Sequence, residues 1–336
     1  MKTRNLLLLL VSAALLLPAC KESRNLLPSV SGKAGEIIVV MEKPDWENSL
    51  GADVREVLAC DCPWLAQKEP LYSLVNVVPS TFVDLFKVHR NILLFQVGPQ
   101  VDSVGIIFKH DMWAAPQCVI QLSAPTSAQA SELLKEKAAT IISSFEQAER
   151  DRVIRNTRRY EESSIFPQVV EVFGGSPHFP ISYKLRKITD TFAWIADDKQ
   201  VYQDIFIYRY PVEKEPFILG KIIAHRNQIL KDNVPGMFEG SYMTTSEFFQ
   251  PTLEYLRYKN RDLVQVRGMW EVQNDFMGGP FVSHSFYSPD GKEIIVAEAW
   301  VYAPQFDKRQ YLRQVESLLY SWEWKKGGSE EENAAN

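Results

Sequence analysis

The sequence predicts an α+β protein of two domains, each a mainly antiparallel sheet covered by helices. Three observations carry this. Strand-like runs follow one another in hairpin succession, and in each half a long amphipathic helix closes the series. At roughly 150 residues per domain, 336 residues leave room for two cores. The aromatic content also breaks near residue 160: of 39 Phe, Trp and Tyr residues, 10 lie at or before Tyr160 and 29 after it. With 46% hydrophobic and 24% charged residues, the chain is neither disordered nor a coiled-coil rod. A net charge of −5 provides no basic field for a polyanion, so nucleic acid is not an expected partner.

Lys2 and Arg4 precede an apolar run from Leu6 to Leu17. Twelve helical residues rise only about 18 Å against a hydrocarbon core of about 30 Å, so the run reads as a signal-peptide h-region and not as a membrane span. Leu17-Pro18-Ala19-Cys20 then has the shape of a bacterial lipobox, which predicts cleavage before Cys20, acylation of Cys20, and attachment to a bacterial envelope membrane through it. An ordinary signal peptide with a chance cysteine is the competing reading. Loss of residues 1–19 removes two basic groups and takes the charge to −7, which leaves the lipid as the membrane contact. Residues 20–35 read as a polar tether, 36–160 and 161–326 as the two α+β domains, and 327–336 as a disordered acidic tail.

Glu36 to Glu42 is a β-branched run and reads as a buried strand; Pro44 and Asp45 start a helix carrying Trp46, Leu50, Val54 and Leu58. Leu71–Val78, Asn91–Val97, Val104–Lys109 and Gln117–Leu122 read as further strands, with a short helix at Ser80–Lys87. From Thr126 to about Arg158 the spacing of Leu134, Ala138, Ile141, Phe145, Ala148 and Arg152 predicts one helix of about 50 Å, opened by a capping box at Thr126 and Gln129. The arginines crowding its end (Arg150, Arg152, Arg155, Arg158, Arg159) read either as a solvated face complementing the helix terminus or as an anion or partner site. In the second half, Tyr183–Lys187, Thr191–Ala196, Val201–Tyr210, Leu263–Val272, Phe281–Tyr287 and Lys292–Tyr302 read as strands, and Phe217–Leu230 and Phe306–Trp322 as helices. Pro289-Asp290-Gly291 is a turn signal between the last two strands.

No phosphate-cradling glycine loop, nucleophile elbow or zinc-protease helix is present, and the five histidines have no ligand spacing, so no catalytic residue, metal or cofactor is predicted. The Gly174-Gly175 and Gly278-Gly279 pairs read as turns. With Cys20 acylated, three cysteines remain; Cys118 could pair with Cys60 or Cys62 where the fold brings them within about 7 Å, and free thiols are the alternative. His284 and Glu298 lie on one hairpin, but a turn centred on Pro289-Asp290 sends them to opposite faces, which removes them as an acid–base dyad. Tyr202, Phe206, Tyr208 and Tyr210 share one strand face, either as a platform for a glycan or peptide or as core beneath a helix.

A set of longer motifs runs through the chain. They are Ser31 to Glu36, Pro79 to Phe82, His89 to Ile92, Arg267 to Val272, Asp275 to Ser283, and Ala299 to Pro304 with Lys308-Arg309. In these the chain resembles the domain-of-unknown-function family numbered 4837 over nearly the whole segment after Cys20. The resemblance implies a Bacteroidota lipoprotein in the envelope and brings no catalytic residues with it. The expected function is a non-enzymatic binding or adaptor module for an envelope protein or polymer. Its candidate contact segment is Trp270 to Pro280, where Trp270 and Met277 offer apolar contact and Gly278, Gly279 and Pro280 allow close backbone approach. The competing expectation is a hydrolase of envelope glycans or other envelope material using carboxylates from Glu271, Asp275 or Glu298.

Overall fold

The computed structural model describes residues 26–197 and 199–325. Cys20, the signal segment, part of the tether, Asp198 and the acidic tail lie outside these residues. The chain is α+β in two domains. The first contains β1 (Glu36–Val40), α1 (Lys43–Glu47), α2 (Ser49–Leu58), β2 (Ser73–Val77), α3 (Asp84–Lys87), β3 (Asn91–Val97), β4 (Gly105–His110), β5 (Cys118–Ala124), α4 (Ser127–Glu136) and α5 (Ala138–Arg159).

The pairing sense of the first sheet departs from the expected one. In the order β2-β1-β3-β5-β4, the pairs β1–β2, β1–β3 and β3–β5 are parallel, and only β4–β5 is antiparallel. The physical reason lies in β1 itself. Ile37 and Val39 face the main core with Leu50, Val54, Leu93 and Phe145, whereas Ile38 and Val40 face a smaller one with Val77, Ile92 and Val119. A strand buried on both faces is a continuous apolar run and suits a parallel sheet covered on both sides. The expected single helix is two, because Lys137 (φ −97, ψ 8) leaves helical geometry. Its N–H still bonds the Leu133 carbonyl and its carbonyl accepts from Ile141, so the axis bends without losing the ladder. Thr126 caps the start by accepting from the Gln129 N–H at 3.3 Å.

The second domain runs α6 (Ile165–Phe173), β6 (Gly175–Ser176), β7 (Tyr183–Ile188), β8 (Phe192–Asp197), β9 (Tyr202–Pro211), α7 (Leu219–Asn233), β10 (Met243–Thr245), β11 (Thr252–Tyr258), β12 (Arg261–Val272), β13 (Gly278–Tyr287), β14 (Glu293–Tyr302), α8 (Arg309–Leu319) and β15 (Glu323–Trp324). The main sheet, β10-β12-β13-β14-β9-β8-β7 with β11 on β12, is antiparallel at every pair. One face packs on α6 and α8 through Ile195, Ile205, Ala297, Leu312, Val315 and Trp322. The other packs on α7 through Phe206, Tyr208, Ile222, Leu230, Val296 and Phe281.

Gly278 and Gly279 begin β13 instead of forming a turn; the turn is set one step earlier, where Asn274 takes a positive φ of 63°. The β13–β14 register pairs His284 with Ala297 and Ser283 with Glu298, two residues from the expected pairing. An even shift preserves side-chain parity, so His284 and Glu298 do lie on opposite faces. His284 is wholly buried and accepts at Nε2 from Gln265 Nε2 at 3.1 Å; burial, with Arg261 and Arg267 nearby, holds it far below its ordinary range.

Glu298 and Arg226 are the polar fastening of α7 to the sheet, with side-chain exposures of 0% and 1%. Arg226 donates from Nε at 2.9 Å and Nη2 at 2.7 Å to the two carboxylate oxygens, and from Nη1 to Thr245 Oγ1 at 2.8 Å. Tyr208 donates to Glu298 at 3.2 Å, and the guanidinium lies 3.8 Å from the Phe281 ring centroid. Two desolvated charges satisfied this way are tolerable together and costly apart. Arg226→Ala or Glu298→Ala is therefore expected to lower unfolding free energy by about 3–5 kcal/mol. The Arg226→Met, Glu298→Leu pair should recover most of that loss, read by urea denaturation.

Candidate functional site

α7 ends at Asn233, and among the described residues no helix covers the sheet face beyond its last turn. The result is a cleft of about 880 Å³ floored by Trp194, Trp270 and Trp300, with Met243 and Met277 on its wall, and Met237 and Tyr202 at the mouth. The three indoles come from different strands and reach one face by register. Trp300 pairs with Asp204 and Phe281, Trp194 with Phe206, and Trp270 with Gly279. Trp270 packs edge to face on Trp300 with centroids 5.1 Å apart, and Trp194 lies tilted to Trp300 at 6.5 Å. Tyr202 stacks on Tyr302 at 5.9 Å. Lys187 and Lys199 line one side, held by the Asn233 carbonyl at 3.3 Å and by Asp197 at 2.7 Å respectively.

Asp204 lines the cleft beside Trp194 and Trp300, 4% exposed. One carboxyl oxygen accepts from Trp194 Nε1 at 2.8 Å and the other from the Asp197 N–H at 3.2 Å. Burial pushes its carboxyl up to about 7, against the opposing pull of those two hydrogen bonds. Through these two bonds the carboxyl holds the indole and the end of β8 in place. Asp197 is 2% exposed.

Of the residues anticipated from sequence, Trp270 and Met277 do line the cleft. Trp270 is 2% exposed and donates from Nε1 to the Val301 carbonyl at 3.2 Å, so only its edge is offered. Gly278, Gly279 and Pro280 serve the framework. A Cβ on Gly279 would fall 2.1 Å from the Val301 oxygen and 3.1 Å from Trp270 Nε1, so this position stays glycine to admit the indole. Pro280 is buried opposite Met269.

Phe206, Tyr208 and Tyr210 are core beneath α7, Tyr210 stacking on His225 at 4.1 Å; only Tyr202 reaches the cleft. Glu271, Asp275 and Glu298 do not converge. Glu271 pairs across β10–β12, Asp275 bonds the Phe276 N–H in a turn, and Glu298 is neutralised by Arg226.

Cys60, Cys62 and Cys118 are free thiols, the second of the two alternatives left open by the sequence. Cys118 Sγ reaches the Ser144 carbonyl of α5 at 4.0 Å and has Arg152 and Glu149 as neighbours, whereas Cys62 faces Arg313 and Glu146 and Cys60 is exposed. Burial pushes both Cys62 and Cys118 up to about 12. Among the described residues no group of three or more His, Cys, Asp or Glu is placed to hold a metal ion, and no helix is long and apolar enough to cross a membrane.

The Asp204 carboxyl has a measurable signature. The folded state keeps its proton up to about pH 7 while the unfolded chain releases it near 4, so stability falls as pH rises through that window and levels off above it. The slope amounts at most to about 4 kcal/mol, and Asp204→Asn should flatten it in urea titrations compared at about pH 5 and about pH 8.

Residues 162–321 match the family model described as Domain of unknown function (DUF4837), and residues 30–158 match Domain of unknown function (DUF8532). The resemblance seen in the sequence thus divides between two models: the motifs at Ser31, Pro79 and His89 fall in the segment matched by the second. No curated protein matches the chain. Among solved structures, the Ran-binding protein Mog1p of Saccharomyces cerevisiae is similar over 45% of this chain and 90% of its own, at 8% identity and a TM-score of 0.31. A Bacteroides thetaiotaomicron VPI-5482 protein is similar over 46% of this chain and 47% of its own, at 11% identity and a TM-score of 0.26. Neither likeness bears on function. Over residues 162–321 the chain is similar to the DUF4837 family of unknown function.

Proposed function

We propose that this protein is a non-enzymatic binding module of the bacterial cell envelope, held to a membrane by acylated Cys20, and that its tryptophan-floored cleft seats an apolar anchor from an envelope protein. The observation that carries the reading is the cleft itself: about 880 Å³ of sheet face left open past the end of α7. Such a concave, mainly apolar site with a few polar groups at its edge is the usual form of a ligand pocket. Methionines at its wall and mouth favour a side-chain anchor over a sugar ring, because they adapt to irregular apolar shapes, whereas the indoles offer edges more than open faces. Lys187 and Lys199 favour acidic residues flanking that anchor.

The absence of converging carboxylates at Glu271, Asp275 and Glu298 supports binding over glycan hydrolysis. Attachment through Cys20 rests on the lipobox pattern alone.

Trp270→Ala is a poor probe, since truncating a buried indole costs about 3–5 kcal/mol of stability on its own. Met237 at the mouth is 83% exposed and Met277 on the wall is half-buried, so Met237→Asp with Met277→Ala is expected to leave the fold intact. In crosslinking pull-downs of the full chain from its own envelope, one protein partner should be captured by the wild type and lost in this double variant. Equal capture by both chains would remove the cleft from the interaction, and capture of polysaccharide alone would replace the protein ligand with a glycan.

A further inference from the structure

A second cavity lies away from the cleft, where α5 of the first domain meets α8 and β12 of the second. It encloses about 70 Å³ and is walled chiefly by Arg150, Arg267, Arg309, Arg313, Glu146 and Glu316. Two of the arginines are neutralised there. Arg313 grips Glu146 at 2.7 and 3.0 Å, and Arg267 grips Glu316 at 2.6 and 3.0 Å. The other two are not. Among the described residues neither Arg150 nor Arg309 has a carboxylate within salt-bridge distance. Arg150 lies flat on Tyr320, 3.6 Å from the ring centroid, with one hydrogen bond to Gln147. Arg309 donates to the Pro70 carbonyl and to Ser73 Oγ at 3.5 Å, feels the Glu69 carboxylate only through space, and leaves a buried Nε with no partner. Burial, and next the charge of Arg313, depresses Arg309 below its ordinary range.

The walls therefore carry two positive charges in excess in a partly enclosed space, a state that a bound anion would relieve. We propose that this cavity binds one small tetrahedral oxyanion of the phosphate or sulfate class, bridging Arg150 of α5 to Arg309 of α8. Guanidinium groups suit this ligand because their planar N–H forks match oxyanion geometry. The volume exceeds that needed for a single water and accommodates a small anion in place of a few waters, without room for a large substituent. The ligand would act as a pin between the two domains.

Isothermal titration of the full chain with inorganic phosphate tests this directly. The expected result is one saturable site per chain, competed by sulfate. Binding should weaken about tenfold or more in Arg150→Gln and in Arg309→Gln, each checked for a wild-type circular dichroism spectrum. Arg155→Gln, on an exposed part of α5, should titrate like the wild type. Glycerol 3-phosphate, with its ester arm, should bind about tenfold more weakly than phosphate. No saturable heat in the wild type, or titrations unchanged by both cavity variants, would overturn the site; equal binding of glycerol 3-phosphate would overturn its assignment to the free anion.

Discussion

The Glu146 carboxylate is buried between α5 and α8, and the way it is neutralised sets the relation between the two domains. Burial pushes its carboxyl up, yet Arg313 and the Tyr72 hydroxyl outweigh that and hold it below the ordinary carboxylate range. Tyr72 and Glu146 come from the first domain and Arg313 from the second, so separating the domains would strand a desolvated charge. The same helix is tied at its start: Glu69 of the first domain accepts from the Lys308 N–H at 2.7 Å and the Arg309 N–H at 2.8 Å. Those are two of the backbone donors that a helix N-terminus leaves unpaired. α8 is therefore completed by residues outside its own domain. The arginine-rich end of α5 divides: Arg150 lies on Tyr320 and Arg158 pairs with Glu323 at this junction, whereas Arg155 and Arg159 are exposed on the solvated face.

With α8 fixed on one face of the second sheet, the opposite face is left to α7, and its length decides where a site can exist. Fifteen residues span about 22 Å. The Arg226–Glu298 pair anchors the helix over Tyr208 and Phe281, and what it fails to reach becomes the cleft. Asp204 completes the floor by fixing Trp194, at the expense of keeping a carboxyl in a setting that favours its neutral form. Framework glycine at 279 serves the same end by letting Trp270 lie against Val301.

Much of this was readable from residue patterns, and the failures have identifiable causes. The antiparallel second sheet followed from alternating strands and the Pro289-Asp290-Gly291 turn, with the register displaced by two because the turn is centred further along. β1 carries its own signal for a parallel sheet in four consecutive apolar, buried residues, Ile37 to Val40, but burial alone does not reveal the partner strand. α6 was missed because Pro167 in its first turn masks the helical pattern, although proline is tolerated there. β11, with its polar and half-exposed residues at the sheet edge, lacks the apolar run that marks a core strand. In the cleft, Trp270 and Met277 stood out from their motif, whereas Trp194, Trp300 and Asp204 belong to three separate strands. Only the register β8–β9–β14 brings them together, and no local spacing encodes that.

The central claim is that the open sheet face at the end of α7, and no other surface, meets a protein partner. A photo-crosslinking amino acid placed at Tyr202, at the cleft mouth, tests it in the native envelope, with the same group at Tyr255 on the distant β11 edge as reference. The account predicts a discrete protein adduct from position 202 and none from position 255. Matching adducts from both positions, or none from 202 while 255 captures a partner, would contradict it.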